Sequence, residues 1–441
     1  MKLNFKLYFL LLFTITSFSQ KGFEFESKKS KVSFKFQLVN NLIIIPLEVN
    51  GTKLNFLLDT GVSETIIFSL DDANEVNLNH TEAIQMKGFG KKEYFIAYRC
   101  KDNSVGIKDY VDKNHTIYLV LDQDINISSQ VGIPVNGIIG SHFFENYLIA
   151  IDYVSKKIMV SKRDNKMIDK IEKNYLKIPI SIEESKPYLL ANIEIENQNR
   201  ASKLLIDSGN NDALWIFDSK TDKFTKPKNA ISDFLGRGLN GDVFGKRAKI
   251  GSFFIGVTAI KKPIASFPDS IHTMQTDMVD NRAGSLGAEL LRRMDLIFDY
   301  NSKVLYYRKN SNFDDPFLFN RSGLEIQHQG LEWDKLEFET NPARNNYYVD
   351  VNGDKAAPIL QYKFVLKPVF VISNIRKNAP SELAGLQKGD ILSKINGRKT
   401  SNLTLQQINE LLKSEDIERV QIEILRNDKP MKFEFELISI L

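Results

Sequence analysis

A single cysteine, Cys100, stands in 441 residues, so no internal disulfide can form and stability must come from core packing. Cys100 follows Tyr98 and Arg99 in a β-like stretch with no histidine partner in a motif, which argues against a thiol nucleophile. The chain also lacks a strong excess of either charge. Its formal balance is +4 with no long basic run, which removes nucleic acid from the expected partners. Beyond the N-terminus, no stretch resembles a spanning helix, so no stable membrane span is expected. His142 has no ligand-spaced partners, and neither a metal nor a cofactor is predicted. What remains is an apolar fraction of 42%, enough for each of roughly three domains to bury a core.

The first residues read as an export signal. Lys2 and Lys6 supply a positive start, residues 7–15 form a short apolar run, and Ser17 and Ser19 are small residues at the cleavage-determining positions. The expectation is a signal peptide at 1–19, a mature start at Gln20, and a periplasmic or secreted protein. The apolar run is well short of the ~20 residues a membrane span needs.

The most informative feature is a repeat. Phe56, Leu57, Leu58, Asp59, Thr60 and Gly61 are echoed 148 residues later by Leu204, Leu205, Ile206, Asp207, Ser208 and Gly209. Gly88, Phe89 and Gly90 correspond to Gly236, Arg237 and Gly238 at the same offset. Gly137, Ile138, Ile139 and Gly140 correspond to Gly284, Ser285, Leu286 and Gly287 at an offset of 147. Tyr147 to Tyr153 then matches Met294 to Tyr300, and each leads through a turn into a lysine-bearing strand at 156–160 and 303–307. One Asp-Ser/Thr-Gly triplet is an ordinary turn after a strand. Four features in order at a near-constant offset imply duplication, with two globular lobes at 30–165 and 172–310.

Each lobe reads as mainly β. Val32 to Phe36 alternates apolar and polar residues, as a half-buried strand does. Asn50 and Gly51 form a hairpin signal between an apolar run and the strand that ends at Asp59. The second lobe repeats this plan, with a turn at 196–199 and a strand at 203–206. Short helices are expected at 141–146 and 288–293. Asp152 and Asp299 are also paired by the repeat, but each precedes a tyrosine at a strand end, without glycine support, and reads as structural.

On these residues the chain resembles the aspartic proteases, particularly retropepsin-like enzymes with both lobes on one polypeptide, over residues 30–310. The resemblance implies a two-lobed β fold in which Asp59 and Asp207 face each other across a pseudo-twofold axis. Two carboxylates that close titrate as a coupled pair and can activate a water. Thr60 and Ser208 resemble the family's bracing hydroxyls, while Gly61 and Gly209 admit backbone close to the carboxylates. Ile138, Ile139 and Gly140, and likewise Ser285, Leu286 and Gly287, should pack behind the aspartate loops. Ser285 departs from the apolar pattern, and the expectation is that it sits at the more exposed end of its segment. Gly88, Gly90, Gly236 and Gly238 are candidate flap hairpins. With both triplets on one chain a monomer suffices.

After residue 310 the repeat stops, and 311–320, with Pro316, reads as a linker. Residues 379–397 and a helical segment at 404–413, with Leu405, Ile408, Leu411 and Leu412 on one face, resemble a PDZ domain of the type attached to bacterial exported proteases, strongest over 369–437 and assigned to 321–441. Such a domain adds a peptide C-terminus as a β-strand. Gly323, Leu324, Glu325 and Ile326 are the candidate carboxylate loop, although the stretch 327–368 is long for the family.

The expected function is therefore an exported aspartic endopeptidase, acting on polypeptide substrate that the PDZ domain recruits or positions. One alternative is a non-catalytic peptide-binding protein that keeps the protease architecture; intact acids in both lobes argue against it. A carboxylate-pair glycosidase is a second, but the matched triplets predict symmetry rather than two differently placed acids.

Overall fold

Two-residue turns and alternating strands build most of the molecule. The fold is that of a computed structural model, which describes residues 22–68, 75–87, 94–121, 127–217, 226–238, 241–269, 278–339 and 360–439. The expected signal peptide at 1–19 lies outside the described residues. Asn50 (φ 47°) and Gly51 (φ 89°) close the hairpin between Leu42–Val49 and Thr52–Leu58. In the second lobe Glu196 (φ 47°) and Asn197 (φ 63°) join Lys186–Ile195 to Gln198–Asp207. That turn is two residues long rather than four, because left-handed backbone at both positions matches strand twist and lets pairing resume at Gln198.

The strands form a nine-stranded sheet for the first lobe, a fifteen-stranded sheet that includes the second lobe, and a six-stranded C-terminal sheet. The molecule is thus mainly β. Leu148–Asp152 and Met294–Asp299 pair antiparallel, with Ala150 opposite Ile297. These two residues are 147 apart, so equivalent positions of the repeat face each other, and the pseudo-twofold axis passes between them.

One apolar core runs through both lobes, from Phe23 to Tyr307. At the seam, Phe144 stacks on Tyr300 at 5.6 Å and meets Phe298 edge-on at 5.2 Å. The C-terminal sheet has a separate core around Leu324, Ile372, Ile395, Ile408 and Ile422. The helices expected at 141–146 and 288–293 are shorter, a 3-10 turn at Ser141–Phe144 and a helix at Ala288–Leu291. Each begins directly after its strand, and its apolar residues are pinned in the core.

Residues 311–320 contain no helix or strand, but they are strapped to the second lobe. The buried Arg293 donates to the carbonyls of Phe313 (3.1 Å) and Asp315 (2.5 Å) and packs its guanidinium 3.7 Å from the Phe317 ring centroid. In the C-terminal domain, Thr404 and Gln407 form a reciprocal cap at the start of Leu405–Lys413, burying Leu405, Ile408 and Leu412. The described residues of the long stretch after 327 belong to two antiparallel strands, Leu324–Glu339 paired with Leu360–Ile375.

Candidate active site

Asp59 and Asp207 stand at matching places. Asp207 is the last residue of Gln198–Asp207, and Asp59 follows Thr52–Leu58. Each strand is flanked in parallel by the later glycine segment. Leu57 and Leu58 lie opposite Ile138 and Ile139, and Leu205, Ile206 and Asp207 lie opposite Ser285, Leu286 and Gly287. The Asp59 amide donates to the Ile139 carbonyl at 3.0 Å. Ile138, Ile139 and Leu286 are buried. Gly140 and Gly287 are required there, because a Cβ would collide with the Ser63 and Asp212 carbonyls respectively.

The two triplets clasp each other. The Thr60 amide donates to Ser208 Oγ and the Ser208 amide to Thr60 Oγ1, each at 3.0 Å. The Thr60 hydroxyl donates to the Ile206 carbonyl (2.6 Å) and the Ser208 hydroxyl to the Leu58 carbonyl (2.8 Å). Thr60 and Ser208, the hydroxyl residues of the two triplets, are both buried. The hairpin tips cross over as well. Ser63 donates to the Glu184 carbonyl at 2.8 Å, and Asn41 donates to the Asn211 carbonyl at 3.0 Å.

The clasp brings both carboxylates to one small volume. A Cβ on Gly61 would be 2.8 Å from Asp207 Oδ1 and 3.1 Å from Asp59 Oδ1, and a Cβ on Gly209 would overlap the Asp59 carboxylate. The Gly61 amide donates to Asp59 Oδ1 at 2.7 Å. Burial, and then the facing Asp207 charge, push Asp59 up to about 7, against the pull of the Gly61 and Gly209 amides and Lys186. Burial also raises Asp207, opposed by Arg282, a hydrogen bond from Ser285, and the amides of Asn210 and Gly209. Two acids so placed hold a single proton over a wide pH range.

Ser285 departs from expectation. It is 2% exposed, not at an open end, because its hydroxyl is satisfied internally by Arg282 Nη2 at 2.8 Å and by Asp207. Asp152 and Asp299, read from the sequence as structural, both sit at turns. Each accepts a turn amide, from Ser155 (2.8 Å) and Ser302 (3.0 Å) respectively. His142 pairs with Glu145 at 2.6 Å.

Gly236 and Gly238 lie on the paired strands Ile231–Gly238 and Gly241–Lys249, whose register shifts between Phe234 and Gly236 (φ 142°) and which Arg237 and Asp242 tie together at 2.6 Å. Gly88 and Gly90 lie outside the described residues, but the strands flanking them, Thr81–Lys87 and Tyr94–Ile107, pair up to Lys87 and Tyr94.

A charged cluster that sequence reasoning missed joins this second-lobe hairpin to the loop after Asp207. Arg247 contacts Asp212 (2.6 Å) and Asp233 (3.0 Å), and Arg376 of the C-terminal domain reaches Asp233 at 3.6 Å. Asp212 also accepts from Trp215 (2.7 Å) and Ser266 (2.8 Å). Asp212 and Asp233 are far apart in sequence from Arg376, and no motif marks them.

At the candidate carboxylate loop, Leu324 and Ile326 are buried in the C-terminal core. The amides of Ser322 and Gly323 donate to Asn320 Oδ1 at 3.1 and 3.2 Å, and the Leu324 amide donates to Ser322 Oγ at 3.1 Å. Glu325 is pushed up to about 7 by burial and by Asp233. Among the described residues, no group of three or more acidic, histidine or cysteine side chains could hold a metal ion.

The chain's sequence matches the aspartyl protease family over residues 45–143 and the PDZ domain family over residues 371–426. No curated protein matches it. Among solved structures, the aspartic proteinase from Irpex lacteus is similar with a TM-score of 0.41 and 13% identity, covering 65% of this chain and 100% of that one. The chain therefore combines an aspartyl protease family domain, which carries the first acid of the pair, with a C-terminal PDZ domain.

Proposed function

We propose that the protein is an aspartic endopeptidase that cleaves polypeptides with water activated by Asp59 and Asp207. The observation that carries this reading is the reciprocal clasp of Thr60 and Ser208, which brings the two carboxylates together beside Gly61 and Gly209. In the singly protonated pair, the ionised carboxylate takes a proton from water, and the protonated one hydrogen-bonds the scissile carbonyl oxygen. The water oxygen attacks the carbonyl carbon. The tetrahedral intermediate then collapses as a proton passes to the amine nitrogen and the C–N bond breaks. The pair regains its single proton, so no covalent intermediate is required.

The repeat gives each lobe a candidate flap, carried by the paired strands Thr81–Lys87 and Tyr94–Ile107 in one and Ile231–Gly238 and Gly241–Lys249 in the other, to cover substrate and exclude water. The PDZ domain positions polypeptide for the cleft, and a peptide C-terminus entering at 322–324 must displace the Asn320 side chain from the amides it now occupies. Export follows from residues 1–19, and mass spectrometry of the mature protein should find Gln20 first.

The test is cleavage of a quenched fluorogenic peptide library from pH 3 to 8 by the mature protein. Asp59→Asn and Asp207→Asn should each lower kcat by at least about 10³-fold, with pepstatin inhibiting the wild type. Equal behaviour of wild type and both variants across the library ends this reading and leaves a peptide-binding protein.

A further inference from the structure

The two halves of the site are nearly superimposable by the repeat, yet they differ at one place. On the second-lobe strand Arg282–Gly287, the Arg282 guanidinium donates through Nη2 to Ser285 Oγ at 2.8 Å and through Nε to the Gly284 carbonyl at 3.2 Å. Its other face rests 5.2 Å from the Phe217 ring centroid. Ser285, with one acceptor position filled by Arg282, is left to point its own proton at Asp207. The first lobe has nothing equivalent. The repeat places Val135 and Ile138 where Arg282 and Ser285 stand, and both are buried apolar residues, 0% and 3% exposed. Asp59 therefore has an apolar wall where Asp207 has a charged relay.

We infer that Arg282, acting through Ser285, breaks the symmetry of the pair and fixes Asp207 as the ionised carboxylate that takes the proton from water, leaving Asp59 as the acid. Arg282 is a positioning residue: it adds its charge beside Asp207 and holds the Ser285 hydroxyl that bonds it. A hydroxyl that accepts from a guanidinium is a stronger donor, and a carboxylate receiving such a bond is favoured in its charged form.

The remaining groups around the two acids agree with this assignment. Asp207 also faces the amides of Gly209 and Asn210 and the Tyr188 phenol from the strand Lys186–Ile195. Asp59 faces the Gly61 and Gly209 amides, Tyr300 and Lys186. Lys186 is shared with Glu184 at 3.2 Å, which weakens its claim on Asp59.

The inference rests on reading Asp59 and Asp207 as the reacting pair, but its test does not require cleavage. Carboxyl carbons of aspartate labelled with ¹³C are followed by NMR from pH 3 to 9, with Asp59→Asn and Asp207→Asn spectra assigning the two signals. In the wild type Asp207 should titrate at the lower pH. Ser285→Ala, which removes only the hydroxyl, and Arg282→Met, which keeps bulk, should each raise the Asp207 transition by about one unit. Arg282→Lys should restore most of the difference. On the fluorogenic library the same variants should move the acidic limb of kcat/KM upward with little change in KM. Either a lower transition at Asp59 in the wild type or an unmoved Asp207 transition in Ser285→Ala overturns the inference, whether or not peptide is cut. Loss of cleavage with the shifts intact instead counts against the peptidase reading.

Discussion

Asp59 is an acid kept away from its preferred state, and this has a stability cost as well as a catalytic use. Its folded pKa of about 7 lies above the ordinary carboxyl range of the unfolded chain. The native state therefore holds a proton that the unfolded chain has lost, and stability from this group falls as pH rises through that interval and levels off above about 7. Asparagine cannot ionise, so Asp59→Asn should stabilise the protein more at pH 8 than at pH 5, by up to roughly 4 kcal/mol at the higher pH. Thermal denaturation at the two pH values measures this; an equal gain at both would mean that Asp59 titrates normally. The same elevation predicts that kcat/KM declines on the alkaline side near pH 7. Both triplets were legible in the sequence because chemistry fixes their residue types. The Arg282–Ser285 relay was not, because a serine in place of an apolar residue reads as a weaker match until its neighbours in space are known.

The strand behind each aspartate works only because glycines let backbones touch. A Cβ on Gly284 would run into the carbonyl oxygen of Trp215, and one on Gly137 into that of Ile66. Neither obstacle is a side chain that can rotate away. Gly284→Ala should therefore displace Arg282–Gly287 from Leu214–Ile216 and destabilise the protein by at least ~2 kcal/mol in urea denaturation, with activity falling alongside. An unchanged urea midpoint would show that this strand has slack. At this scale the repeat made the architecture readable, since equal spacing in two halves fixes equal elements. Boundaries were harder. The turn at 196–197 and the short helix Ala288–Leu291 are set by strand register and by burial of Leu290 and Leu291, which are not local properties.

Across the whole molecule, the lobes share one core, while the PDZ domain keeps its own and touches the second-lobe hairpin through charge. The Arg376 side chain is 6% exposed; it reaches Asp233 at 3.6 Å and the Asn320 carbonyl at 3.3 Å and rests on Phe319. Arg376→Met leaves Asp233 with Arg247 alone and should loosen the PDZ domain by about 3 kcal/mol. The expected readout is a urea transition that splits in two; a single unshifted transition would mean that the contact carries no weight. Glu325 adds a pH dependence, because its ionisation above about pH 7 places another negative charge beside Asp233. Its contribution is lost as pH rises through that value. The sequence by itself determined the duplication, the two acids, their bracing hydroxyls and the separate C-terminal domain, because repeated spacing and turn chemistry are written locally. Only the tertiary structure decided which acid has the Arg282–Ser285 relay beside it, that amides of the candidate carboxylate loop are already bonded, and that the PDZ domain grips a hairpin of the second lobe. Those outcomes depend on which distant side chains folding brings together and shields from water, and no local pattern encodes that.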